Sequence, residues 1–178
     1  PGTGKTLVVK KVLKQIQERV DKNTYPIKLA YTNAKNESTL YGLLVSLGKQ
    51  LGLKSKKDSG DDKLFLPDTG LAISEVFNRI LYVIDKNKMN TVFVIDEIDY
   101  LAELVSKTGK DILYSITRAN ERLENGSLSL IGVSNDLTFK QRLDPRVISS
   151  LSEEEIVFPN YVSHEITEIL KDRIQIAF

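Results

Sequence analysis

The first six residues, Pro1-Gly2-Thr3-Gly4-Lys5-Thr6, complete the second half of the pattern G-x-x-x-x-G-K-[ST]. Each residue type suits the binding of a polyphosphate. Glycine adopts backbone angles closed to other residues, so successive N–H groups can close around one phosphate. Lys5 brings a point charge toward the β- and γ-phosphates, and the Thr6 hydroxyl is a hard oxygen ligand for Mg²⁺. A helix starting here turns its positive end to the anion. Pro1 through Leu7 are therefore the candidate cofactor-binding residues. The bland alternative is a Gly-rich turn ahead of a helix, but such a turn has no need of the Lys-Thr pair.

A second acidic string, VFVIDEID, runs from Val92 to Asp99. Its apolar part is buried on both faces, as in a parallel strand, and it delivers Asp96 at a C-terminal strand end, where open parallel sheets bind ligands. Asp96 can hold Mg²⁺ directly or through water, and Glu97 can polarise an attacking water as general base. The alternative is an acidic helix cap, the role assigned to Asp99. Leu128 to Ser134 ends in Asn135, whose amide could orient that water; the alternative is a turn asparagine. In Arg142-Leu143-Asp144-Pro145-Arg146, an arginine could reach a neighbouring subunit's ATP with its planar, permanently charged fork. Arg146 is the candidate, ahead of Arg142. The competing reading is a surface arginine on a short helix, paired with Asp144 or the Glu153–Glu155 run.

These residues need elements to hold them. Helical spacing of apolar residues predicts helices over Thr6–Val20, Thr39–Leu51, Thr69–Lys86, Lys110–Leu123 and Ser163–Phe178. Strands are expected at Pro26–Tyr31, Thr91–Ile95 and Leu128–Ser134, with a short one at Ile156–Phe158. The alternation predicts an α/β fold with a parallel sheet. The charged stretch Lys54–Lys63 reads as a solvated loop or insertion.

The 178 residues suit one domain, with 41% hydrophobic and 28% charged residues and a net charge of +1. That balance argues against a nucleic-acid footprint spread over the whole domain. Without cysteine there is neither a disulfide nor a thiolate metal site, and the single His164 reads as an exposed helix residue. No apolar run reaches the ~20 residues needed to span a bilayer.

Together GTGKT, VFVIDEID, LSLIGVSND and especially LDPRVISSLSEEEIVFPNY resemble the archaeal origin-recognition and cell-division-cycle replication initiators, which are AAA+ ATPases. The resemblance implies the P-loop NTPase fold, a three-layer α/β sandwich with sheet order 5-1-4-3-2. Residues 1–178 would be its ATPase core, truncated at both ends. The first strand would lie upstream, and the lid and winged-helix domains outside. It implies ATP or ADP with Mg²⁺ as cofactors and slow hydrolysis. The implied partners are double-stranded origin DNA, the replicative helicase and other initiator subunits, in the cytoplasm at the nucleoid and away from membranes. Carried over by position, Lys5 and Thr6 hold phosphate and metal, Asp96 and Glu97 serve metal and water, and Asn135 is the first sensor. Arg146 matches the first arginine of the family's finger segment; Ser150 stands where some relatives have a second. TLYGLLVSLGKQLG and LPDTG resemble the initiator-specific helical insertion, placed at 39–70. Its Lys49, Lys54, Lys56 and Lys57 are candidates for DNA, or else a solvated loop neutralised by Asp58, Asp61 and Asp62. Two other readings remain. One is a different AAA+ machine, such as a transposition helper or clamp-loader-like ATPase. The other is a nucleotide-gated DNA-binding switch with little hydrolysis.

Overall fold

The computed structural model describes residues 2–21, 27–55, 61–108, 112–151 and 154–177. In chain order the elements are α1 (Lys5–Asp21), β1 (Ile27–Asn33), α2 (Leu40–Gln50), α3 (Ile73–Lys86), β2 (Asn90–Asp96), α4 (Ile98–Thr108), α5 (Ile112–Thr117), β3 (Ser127–Val133), α6 (Pro145–Ser150) and α7 (Ser163–Ala177). The strands form one parallel sheet in the order β1-β2-β3. That is the contiguous 4-3-2 run of the expected order, read from the other end, if one strand precedes the phosphate-loop string.

Register sets which residues share a face. Asn33, Asp96 and Val133 are level with one another, as are Tyr31, Val94 and Ile131. Ala30, Phe93 and Leu130 line the opposite face. There the main core gathers, with Ala30, Phe93, Ile95 and Leu128 buried under Leu40, Leu43, Leu44 and Leu47 of α2 and Val76, Phe77, Ile80 and Ile84 of α3. The other face is thinly covered. α1 lies on it with no buried residue, and Leu7, Val8, Val12 and Ile131 are all exposed. β2 is covered on both sides, as its unbroken apolar run requires.

Local chemistry explains the element ends. Thr39 caps α2, accepting the Gly42 N–H at 3.0 Å. Asp144 caps α6, with Pro145 in the first helical turn, where its missing N–H costs nothing. The loop after α2 is closed at its neck, where the Lys54 carbonyl accepts from Leu66 N–H and Lys54 N–H donates to the Leu64 carbonyl. Asp61 then pins the loop to α3 by accepting from Tyr82 Oη at 2.8 Å and Lys86 Nζ at 2.7 Å.

Four expectations change. Ile156–Phe158 is no strand: it pairs with none of β1–β3, and Ile156 and Val157 are 84% and 61% exposed. An extended apolar run without a ladder partner has nowhere to place its N–H and C=O groups except water. The third helix begins at Ile73 rather than Thr69, because Gly70 takes a left-handed φ of +96° that interrupts helical geometry. The stretch expected from Lys110 resolves into the short α5 and a 3-10 turn at Ala119–Glu121, and Lys110 itself lies outside the described residues. Finally α4, which packs Ile98 and Leu101 into the core, is a helix in full where the sequence offers only Asp99 as a helix cap.

Candidate functional site

Gly2 and Gly4 carry φ of +85° and +81°, the left-handed conformation glycine adopts without steric cost. The Gly4 carbonyl accepts the Val8 N–H at 2.9 Å, so α1 starts immediately after the loop and its free N–H groups face the loop's mouth. Lys5 Nζ donates to Thr3 Oγ1 at 3.1 Å, which holds the ammonium group over the loop. Pro1 lies outside the described residues, and Leu7 is 67% exposed on α1.

The acidic strand end meets this loop. Asp96 is 2% exposed, and its carboxylate accepts three hydrogen bonds from three segments. The Thr6 hydroxyl donates to Oδ1 at 3.2 Å, the Glu97 backbone N–H to Oδ1 at 3.0 Å, and the Tyr31 hydroxyl to Oδ2 at 3.0 Å. Burial, and then the neighbouring Asp96 carboxylate, push the Tyr31 phenol up to about 12, so it remains a donor throughout the neutral range. Glu97 has a φ of +51°, rare for a residue with a Cβ. One residue must turn the chain from β2 into α4, whose first turn closes with Tyr100 N–H on the Glu97 carbonyl. The turn leaves Glu97 half-buried beside Asp96.

Asn135 is exposed in the bend that follows β3. That bend is tied down by Ser134, whose hydroxyl donates to Asp99 at 2.9 Å and accepts the Asp136 N–H. Asp99 is thus a brace between β3 and α4. Arg142 pairs with Asp136. Arg146 lies apart from the loop: its Nε and Nη2 donate to both Asp144 oxygens at 3.0 and 2.9 Å, and its guanidinium lies 5.1 Å from the Tyr114 ring centre. Of the anticipated residues, the fold therefore brings Gly2 to Thr6, Asp96 and Glu97 into one place. It leaves Arg146 on a separate, exposed surface.

Three contributors were not anticipated. Tyr31 lies two residues before the end of its strand, at the end of the sheet that carries Asp96. Gln50 clamps Tyr31 from the end of α2, accepting its N–H and donating to its carbonyl, both at 2.9 Å. Tyr161 donates from Oη to the Thr3 carbonyl at 3.3 Å across nearly the full length of the chain; no local spacing carries that signal.

The donors suit a magnesium ion. Thr6 and Asp96 offer a hydroxyl and one carboxylate as hard oxygen ligands, and magnesium is commonly held by one or two carboxylates, substrate phosphates and water. Among the described residues no helix is long and apolar enough to cross a membrane.

A family model described as an AAA domain matches residues 1–139. The whole chain is 65% identical to 42% of an ORC1-type DNA replication protein of Cenarchaeum symbiosum. It is 40% identical over 177 residues to a protein of the same name from Thermococcus onnurineus, of which it covers 40%. The chain thus spans about two fifths of the length of these relatives. Among solved structures, 98% of the chain superposes on 41% of the Aeropyrum pernix ORC1 protein in complex with DNA, with a TM-score of 0.81 and 34% identity. Cdc6p from Pyrobaculum aerophilum shares the fold at a TM-score of 0.76 and 21% identity, over 98% of this chain and 41% of that one. A match over most of the chain, in agreement with the observed sheet, shows the family: the chain belongs to the AAA domain family, and within it resembles the archaeal ORC1-type DNA replication proteins.

Proposed function

We propose that the chain is the ATP-binding and hydrolysing core of a replication initiator that binds double-stranded origin DNA and helps to load the replicative helicase. The observation that carries the nucleotide part is the meeting of Thr6 and Asp96, 90 residues apart in sequence and 3.2 Å apart in space. In this reading Gly2 to Leu7 wrap the phosphates, and the Lys5 ammonium group opposes their charge. Thr6 and Asp96 would hold magnesium, which when bound neutralises charge on the phosphate oxygens. The Glu97 carboxylate orients a water and takes its proton as the water attacks the terminal phosphorus, giving ADP and phosphate. Asn135 orients the same water, and Arg146 serves a neighbouring subunit's nucleotide. Hydrolysis is slow, as befits a switch, and the protein acts at the nucleoid.

The DNA part rests on the likeness to a protein solved with DNA. Residues 39–70 are the initiator-specific segment in this reading. Within it, α2 packs its apolar side into the core and leaves Lys49 and Gln50 exposed at its end; the helices flanking Lys54–Lys63 would contact the DNA backbone. Lys49 is paired with Asp68 at 2.6 Å, Lys54 forms the loop neck, and Lys56 and Lys57 lie outside the described residues.

Two substitutions in the intact protein test the nucleotide reading. Lys5→Ala should weaken ATP binding by an order of magnitude or more, since hydrogen bonds to charged groups are worth ~1.5–3 kcal/mol. Glu97→Gln should leave binding nearly unchanged while single-turnover hydrolysis falls by roughly 10²–10⁴-fold. Equal ATP affinity in Lys5→Ala, measured by calorimetry, would remove the assignment.

A further inference from the structure

We propose that Tyr31 is a positioning residue for the Asp96 carboxylate, and that the Gln50 amide fixes how far the Tyr31 hydroxyl reaches. The inference rests on the reading of Asp96 as the metal-site carboxylate and adds two residues to it.

The two carboxylate oxygens are held from different sides. Oδ1 is shared by the Glu97 N–H and the Thr6 hydroxyl, whereas Oδ2 accepts from Tyr31. Without the tyrosine, both remaining donors lie on Oδ1, and Oδ2 loses the hydrogen bond that holds it. With it, both oxygens are fixed and the plane of the carboxylate is set. Carboxylates that bind metals are themselves oriented by such outer hydrogen bonds.

Register explains why a tyrosine does this. Tyr31 is level with Val94, and Asp96 lies two residues farther along on the same face of the sheet. A side chain at that position must cross to the next strand and run forward along it. A phenol is long and rigid enough to present its hydroxyl at 3.0 Å from Oδ2.

The reach of a rigid side chain is decided by its backbone. β1 forms an edge of the described sheet, so one side of its main chain has no strand beside it. At Tyr31 the Gln50 amide takes that place, with Oε1 on the Tyr31 N–H and Nε2 on its carbonyl. Nε2 also donates to the Ser46 carbonyl at 3.1 Å, which ties the amide to its own helix. A continuous path of hydrogen bonds therefore runs from the last turn of α2 through Tyr31 to Asp96. The loop beyond α2 begins at the next residue, Leu51.

The test uses the intact protein loaded with ADP and titrated with Mn²⁺, free metal being read by electron paramagnetic resonance. Tyr31→Phe should weaken Mn²⁺ binding about 10-fold, the lower end of the range for loss of an outer-shell partner, while metal-free ADP affinity is unchanged. Gln50→Leu should weaken it in the same direction, and should add nothing on the Tyr31→Phe background. If Tyr31→Phe holds Mn²⁺ like the parent and only Tyr31→Leu is impaired, the tyrosine merely packs and the proposal is wrong. If Gln50→Leu has its full effect on the Tyr31→Phe background, the amide does not act through the hydroxyl. Lys5→Ala separates the two readings. If it binds ADP like the parent, the nucleotide site itself is misassigned. If it loses ADP while Tyr31→Phe keeps parental Mn²⁺ affinity, only the role of Tyr31 falls.

Discussion

Arg146 has a local partner in Asp144, and the proposed function gives it a second one on a neighbouring subunit. Its two bonds to Asp144 hold that carboxyl at about 2, well below the ordinary carboxylate value. Yet the arginine side chain is 65% exposed, and solvent screens an exposed pair of this kind. In the proposed function the guanidinium would leave Asp144 for a phosphate on a neighbouring subunit. Arg146→Ala should leave thermal stability and monomer ATP affinity almost unchanged. It should lower hydrolysis at concentrations where the parent assembles. Mixing it with Lys5→Ala subunits should restore hydrolysis, because one interface then joins an intact loop to an intact arginine. Parental hydrolysis by Arg146→Ala alone would leave the residue to Asp144 and Tyr114.

Among the elements, two glycines fix how closely helices approach their neighbours. A Cβ on Gly126 would lie 2.9 Å from the carbonyl oxygens of both Ile84 and Met89, where α3 ends against the turn into β3. A Cβ on Gly48 would meet Leu66 Cδ2 at 2.7 Å and Leu53 Cδ1 at 2.9 Å, which are side-chain tips. Backbone cannot yield without moving the sheet, whereas a leucine can change rotamer. Gly126→Ala should therefore cost ~1–3 kcal/mol in denaturant unfolding, the usual range for overpacking. Gly48→Ala recovers up to ~1 kcal/mol of helix propensity against its clash and should cost clearly less. Equal losses would mean that the turn at Gly126 gives as readily as a side chain.

Over the entire fold, packing is lopsided. One sheet face carries the core, and β2 is buried on both sides. α1 has no buried residue, and along α7 the residues from Ser163 to Gln175 are exposed apart from Ile169. Local stability follows buried apolar contact, so amide exchange should rank the elements. In this chain β2 and the buried turns of α2 and α3 should exchange slowest, with α1 and α7 faster by orders of magnitude. Protection of α1 equal to that of β2 would show that its apolar side is covered after all. The same lopsidedness puts the site at a boundary, with a rigid carboxylate on β2 facing a phosphate loop held by a lightly anchored helix.

Features with local signals were legible in the sequence alone. GTGKT implies a left-handed glycine loop opening a helix, and TVFVI implies a strand covered on both faces, because side-chain type and backbone freedom act within a few residues. The helix start at Thr39 was readable for the same reason. Other features depend on what a segment meets in space. Ile156–Phe158 has strand composition and no ladder partner among the described residues, so it is not a strand. The Tyr31–Asp96 bond exists because two strands align with Tyr31 level with Val94, and that register is set by the pairing of whole strands. Gln50 at the end of a helix, and Tyr161 far along the chain, reach the site only once the helices are packed. Sequence named the candidate groups; packing in three dimensions chose which neighbours hold them, since a hydrogen bond between distant residues carries no local pattern.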